Sequence, residues 1–147
     1  VCLFDGLYKK MKAYVPHDGL DNVFEETIFS FISQYCETHR GFYCEAKHPL
    51  FHFVTDGTYL REHPDIRSFV LHKNTHVDFM ICNRSANPVL AIELDGMHHS
   101  EDAQQERDRK KDEALSHMGI PILRISSKAA LTREDFERLL DGYLMCS

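Results

Sequence analysis

The chain has 147 residues, of which 43% are hydrophobic and 27% are charged, and this is the composition of an ordinary globular protein of one domain. No apolar run is long enough to span a membrane and the first residues lack a secretory signal, so we expect a cytoplasmic protein with no membrane partner. The net charge of −6 argues mildly against nucleic-acid binding, and five cysteines without C-x-x-C spacing exclude a zinc ribbon and a complete disulfide framework.

The first half of the chain predicts a helix followed by a strand. Residues 21–39 (DNVFEETIFSFISQYCETH) begin with an Asx N-cap, place apolar side chains on one helical stripe, and end before Gly41. Residues 42–54 are expected to form a strand that contains a proline. The stretch 55–68 (TDGTYLREHPDIRS) is polar and irregular, so we interpret it as a loop.

The middle of the chain predicts a β-hairpin. Residues 69–82 and 88–95 are rich in apolar and β-branched side chains, and the sequence between them, NRSANP, has the turn residues and the length of a hairpin connector. We therefore expect the two segments to pair as antiparallel strands.

The last third predicts a helix, a strand and a second helix. Residues 100–119 form a polar helix that ends at a glycine, and residues 120–126 form a short apolar strand. Residues 131–145 form an amphipathic helix with Thr132 at its N-cap. The predicted order of elements is α, β, β, β, α, β, α.

Three carboxylates interrupt the hairpin strands. Because side chains alternate along a strand, Glu93 and Asp95 share one face, and a suitable register places Asp78 across from them. Three adjacent acids repel one another unless a cation lies among them, and Mg²⁺ binds carboxylates together with water and phosphate oxygens. The backbone carbonyl of Leu94 is a further candidate ligand. The alternative is a solvated strand edge, and composition alone does not decide between the two.

A family resemblance favours the metal site. The segments VDFMI, LAIELDG, ERDRKKDEAL and GIPILRI, with His99 after the second, resemble in order and spacing the very-short-patch-repair-like branch of the PD-(D/E)XK nuclease superfamily. The likeness covers roughly residues 20–126 and lies close to a bacterial family of uncharacterised nuclease-like domains. It implies an α/β fold with a restriction-endonuclease-like core, a mixed β-sheet flanked by helices. We expect a single nuclease-like domain over 1–147, with its core from about residue 20 and an N-terminal extension over 1–19.

The resemblance also implies an activity. It predicts a nuclease that hydrolyses DNA phosphodiester bonds with Mg²⁺ or Mn²⁺ as cofactor, with Asp78 as the first metal-binding acid and Glu93 as the second. His99 matches the family position, where a histidine can bind the metal, act as a general base or donate to a phosphate oxygen. The usual E-x-K motif ends in lysine, whereas this chain has Asp95 there. The motif thus lacks the cation that orients the attacking water.

The helix after the hairpin can supply that cation. Residues 107–128 carry six basic and three acidic side chains, so this segment is basic within an acidic protein. Arg107 and Lys111 lie on one helical stripe, and we expect them to contact the nucleic acid, with Lys111 or Arg107 reaching the scissile phosphate. The alternative is a solvated charged face, which we prefer for Arg109 and Lys110.

Glu25 is a further candidate catalytic residue, since it resembles the first-helix glutamate of this branch. It shares a helical stripe with Ile28, Phe29 and Ile32, which should face the core, so its carboxylate needs a partner. A second metal ion or a bridging water would provide one. The alternative is a glutamate stabilised by the helix dipole at the first turn.

Two other functions remain open from sequence. One is a catalytically inactive nucleic-acid- or protein-binding module that keeps the nuclease-like fold. We expect it to be part of a larger multidomain chain, because the sequence begins with a valine rather than a methionine. The other is a small-molecule metallohydrolase, which the lack of a histidine motif of fixed spacing disfavours.

Overall fold

The computed structural model describes residues 19–95, 102–126, 129 and 131–145, with side chains from Val23 onward. No helix within these ranges has both the length and the apolar character needed to cross a bilayer. The helices are α1 (Gly19–Thr38), α2 (Gly57–Glu62), α3 (Pro64–Leu71), α4 (Asp102–His117) and α5 (Arg133–Leu144), and the strands are β1 (Phe42–Pro49), β2 (His76–Asn83), β3 (Pro88–Asp95) and β4 (Ile122–Ser126).

The strands form one mixed sheet in the order β1-β2-β3-β4. β1 pairs antiparallel with β2, β2 pairs antiparallel with β3, and β3 pairs parallel with β4. The predicted hairpin is confirmed. Its turn is stabilised by the Asn83 side chain, which accepts hydrogen bonds from the backbone of Ser85 and Asn87, while Ala86 takes a left-handed φ of 63°.

Helices pack on both faces of the sheet, so the protein is α/β with a mixed sheet flanked by helices. Alternation along β2 divides its apolar side chains: Phe79 and Ile81 pack in one core with α1 and α5, and Met80 and Cys82 pack in the other with α2, α3 and α4. Burial on both faces is the reason that the central strands have a nearly continuous apolar sequence.

The prediction of a loop over 55–68 was wrong, because the structure has helices α2 and α3 there. The Asp56 side chain caps α2 by accepting from two backbone N–H groups, and Pro64 occupies the first turn of α3. Leu60, Ile66 and Val70 are buried against the sheet. Each helix is too short to display a clear apolar period, so tertiary burial stabilises both.

Two strand limits also differ from the prediction. β1 ends at Pro49, because a single 3-10 turn, Leu50–His52, follows it. The strand predicted over 69–82 begins only at His76, since residues 69–71 complete α3. The proline that closes β1 cannot donate a ladder hydrogen bond, which accounts for the strand ending there.

Candidate functional site

The strand register aligns four charged residues, one from each strand, across the sheet. These residues, called the charged row below, are Lys47, Asp78, Glu93 and Arg124. The residues on either side of Lys47 pair with the residues on either side of Asp78, so Lys47 lies opposite Asp78. The register of β2 with β3, continued by one residue, places Asp78 opposite Glu93. Glu93 in turn pairs with Arg124. The row lies near the carboxyl end of β3 and at the middle of β4.

Asp78 accepts hydrogen bonds through both carboxylate oxygens. Its Oδ1 accepts from Lys47 Nζ at 3.0 Å, and its Oδ2 accepts from the backbone N–H of Leu94 at 2.8 Å. Burial acts to raise the pKa of Asp78, but the charge of Lys47, the Leu94 N–H and the charge of Lys111 together lower it below the ordinary value. Asp78 is therefore ionised at neutral pH.

Glu93 behaves differently from its neighbour. Its Oε1 accepts a hydrogen bond from Lys111 Nζ at 2.9 Å. Burial raises the pKa of Glu93 to about 7, with Lys111 opposing that effect and the nearby Asp78 carboxylate adding to it. The pKa values of the two adjacent acids therefore differ. At neutral pH Asp78 is charged, whereas Glu93 can gain or lose a proton.

Lys111 reaches the row from α4. Its Nζ donates to the Glu93 carboxylate and to the backbone carbonyl of His76, each at 2.9 Å, and Leu115 one turn later is fully buried. Lys111 and Leu115 therefore face the sheet. Arg107 is exposed and donates to Gln104 Oε1 at 2.9 Å.

Other cations of α4 and β4 pair with acids. Arg109 donates to Glu106 and Glu113, each at 2.6 Å, and all three side chains are solvated, as predicted for this residue. Arg124 donates to Asp112 at 2.7 Å. Arg109 and Arg124, two of the six basic residues of this segment, are therefore paired with acidic side chains.

Lys47 is a member of the site that the sequence analysis missed. Its Nζ donates to Glu25 Oε1 at 2.9 Å and to Asp78 Oδ1 at 3.0 Å. Glu25 thus has a lysine partner, which the sequence analysis did not consider. The lysine in EAKHP falls opposite Asp78 only once the first and second strands are paired, and the sequence does not show that pairing.

The remaining predicted residues take separate positions. Asp95 is half-buried at the end of β3 and pairs along the backbone with Ser126. Among the described residues, no three acidic, histidine or cysteine side chains are grouped so that they could hold a metal ion. Leu94 contributes its N–H to Asp78. His99 lies outside the described residues.

The charged row borders a solvent-filled cavity of about 150 Å³. The start of β2 and the turn before it form one wall, and the first half of α4 forms the other. The polar lining comprises Asn74, Thr75, His76, Asp78, Glu93, Gln104, Arg107, Asp108 and Lys111. The cavity therefore presents two cations, Arg107 and Lys111, together with the acidic side chains Asp78, Glu93 and Asp108.

The pKa of Glu93 predicts the pH dependence of stability. Because the folded state raises this pKa, the free energy of unfolding of the wild type should decrease as pH rises from about 4.5 to about 7 and then level off. Glu93→Gln should lack this decrease. Urea unfolding in EDTA across that range measures it, with the exposed Glu26→Gln as control. Parallel curves for wild type and Glu93→Gln would contradict the assignment.

Comparison with known proteins identifies a family. No curated protein and no solved structure matches the chain. Residues 25–141, which include Glu25 and the whole charged row, match the family described as "Protein of unknown function (DUF2726)". Since this match covers most of the chain, the protein belongs to that family.

Proposed function

We propose that the protein is a metal-dependent nuclease that hydrolyses phosphodiester bonds of DNA and is built on a restriction-endonuclease-like core of the PD-(D/E)XK superfamily. The observation that carries the proposal is the pair of adjacent carboxylates, Asp78 and Glu93, with the Lys111 ammonium bonded to Glu93. The element order and the mixed sheet support the fold assignment, because they agree with the core that the sequence resemblance implies.

Lys111 supplies the cation that the motif lacks. The usual E-x-K motif has its lysine two residues after the glutamate, and this chain has Asp95 there. Lys111 approaches the same glutamate from α4, with its Nζ 2.9 Å from Glu93 Oε1. From that position it would hold the attacking water and stabilise the negative charge that develops on the phosphate.

The donor chemistry of the site fits Mg²⁺ or Mn²⁺. Both acids are hard oxygen ligands on neighbouring strands, and Mg²⁺ is commonly bound by one or two carboxylates with water completing the shell. Asp78 and Glu93 would hold the ion, with Asp95, the Leu94 carbonyl and His99 as further candidate ligands. Once bound, the ion would polarise the phosphoryl group and lower the pKa of a bound water.

The cavity beside the row is suited to a phosphate of the substrate. Arg107 at its rim is exposed, so it is available to contact a neighbouring phosphate and would fix the position of the DNA backbone. Glu93 would serve as a ligand of the ion, and the bound ion would keep its carboxylate ionised.

A specific observation favours the second candidate, an inactive binding module. Asp78 and Glu93 each already have a lysine partner, so their charges are compensated within the chain itself. A fold that had lost catalysis could keep such ion pairs for stability while binding nucleic acid or protein.

One experiment separates the two functions. Purified protein is incubated with linear, supercoiled and single-stranded DNA, with Mg²⁺ or Mn²⁺ and with EDTA. We expect cleavage that EDTA abolishes and that Glu93→Gln lacks, because the variant loses a metal ligand. Glu26→Gln, exposed on α1, should cleave like the wild type. DNA binding without metal-dependent cleavage would overturn the nuclease and support the binding module.

A further inference from the structure

A surface beside the candidate site combines exposed aromatic, apolar and basic side chains. The 3-10 turn after β1 exposes Phe51 and His52, and the end of α3 with the turn after it exposes Leu71, His72 and Lys73. We infer that these five residues, called the stacking surface below, bind single-stranded DNA, with an unpaired base against the Phe51 ring and a phosphate at Lys73. The inference rests on the proposed function, because it names the substrate class of the same site.

The two parts of the stacking surface are joined by the fold. The Leu50 N–H donates to the backbone carbonyl of Thr75 at 2.9 Å. Leu50 and Val70 are buried in the same core, where the 3-10 turn contacts α3. Thr75 and His76 also line the cavity beside the charged row, so the stacking surface borders that cavity.

Phe51 offers a ring on which a base can stack. Phe51 is 36% exposed and Leu71 is 45% exposed. The rings of Phe51 and His52 meet edge to face with their centroids 4.5 Å apart, which restricts the orientation of both rings. An aromatic side chain can stack with an unpaired base of any identity, whereas the bases of a duplex are already stacked on one another. The exposed ring therefore favours a single strand over a duplex.

The charge of this region suits a polyanion. Residues 47–55 and 66–77 contain no acidic residue, although the chain has 23, and they include three lysine or arginine residues and four histidines. Lys73 and Arg67 are exposed, and neither forms an ion pair with another described residue. A protein of net charge −6 thus presents two unpaired cations near an exposed aromatic ring, which is the combination that binds single strands.

The test measures binding of a fluorescently labelled oligothymidylate by anisotropy, in EDTA so that no metal-dependent cleavage occurs. The wild type should bind this strand more tightly than a duplex of equal length, and more tightly than an abasic strand, which has the phosphates but no bases. Phe51→Leu should weaken binding of the oligothymidylate by about tenfold, as expected for the loss of one stacked base, and should leave binding of the abasic strand unchanged.

Matched variants separate stacking from charge and from folding. Phe51→Tyr keeps the ring and should bind like the wild type, as should Tyr143→Leu, which removes an exposed ring of α5 on the other face of the sheet. Lys73→Met should weaken binding of both strands and reduce the salt slope by about 0.7. A 2-aminopurine base in the strand gives a readout on the wild type itself, because stacking on Phe51 should quench its fluorescence.

Several results would overturn the inference. These are equal affinities of wild type and Phe51→Leu for the oligothymidylate, an equal loss for the abasic strand, tighter binding of the duplex, or unquenched 2-aminopurine. A dimeric wild type with a monomeric Phe51→Leu variant in sedimentation would also overturn it, since Phe51 would then lie between two copies. Stacking without Mg²⁺-dependent cleavage rejects only the nuclease, whereas cleavage with equal binding by wild type and Phe51→Leu rejects only this inference.

Discussion

Asp78→Ala is expected to lower the free energy of unfolding by about 3 kcal/mol and to abolish metal-dependent cleavage. The substitution removes one of the two carboxylates that compensate the mostly buried Lys47 ammonium, and it leaves the Leu94 N–H without its acceptor. Urea unfolding in EDTA measures the stability, and the DNA assay measures cleavage.

Two further variants locate the cause of the Asp78 effect. Asp78→Asn keeps an oxygen for the Leu94 N–H but loses the charge, so its stability should lie between those of wild type and Asp78→Ala. Glu62→Ala removes an exposed acid at the end of α2 and should change the free energy of unfolding by less than about 0.5 kcal/mol. A cost for Asp78→Ala as small as that of Glu62→Ala would show that the ion pair contributes little.

The second large effect is expected for Lys111→Met. Loss of a positioned donor that stabilises developing charge typically lowers kcat by about 10²–10³-fold, and Lys111 is the cation bonded to Glu93. The pKa of Glu93 should rise further, because its opposing charge is gone. Single-turnover cleavage measures the first change, and urea unfolding in EDTA across the pH range measures the second.

Arg109→Met is the matched control for Lys111→Met. Arg109 lies on the same helix, but its partners Glu106 and Glu113 are solvated, and exposed ion pairs contribute little to stability. Its cleavage rate should remain within about twofold of the wild type. If both variants cleave alike, Lys111 is a structural lysine and the role of the missing cation remains unassigned.

Sequence reasoning predicted the parts of the fold that depend on local signals. The hairpin followed from apolar runs around turn residues, and α5 followed from its apolar period and Thr132, whose side chain forms a capping box with Asp135. The two short helices between β1 and β2 were missed because neither is long enough for a periodic pattern. Both helices are stabilised by the packing of Leu60 and Val70 against the sheet. The position of that sheet cannot be derived from the local sequence of the helices.

The candidate site likewise contains residues that local sequence signals predicted and one that they did not. Asp78 and Glu93 could be brought together from strand alternation within one hairpin, since the connector limits the possible registers. Lys47 could not be placed beside Asp78 by the same reasoning, because their contact depends on the pairing of two strands that are separated in sequence by α2 and α3. Its left-handed backbone has no sequence signature either, because lysine is not a residue that favours that region.

The charged row has a consequence for how the sheet is assembled. A slip of one residue in any strand would turn that strand's charged side chain to the opposite face, where apolar side chains pack against α1 and α5. Burying an uncompensated charge in that core raises the free energy of the fold, so a slip in any one of the strands would destabilise the sheet. Lys47, Asp78, Glu93 and Arg124 are neighbours only in the observed register. The charged row therefore favours this alignment of the four strands, whether or not the protein is an enzyme.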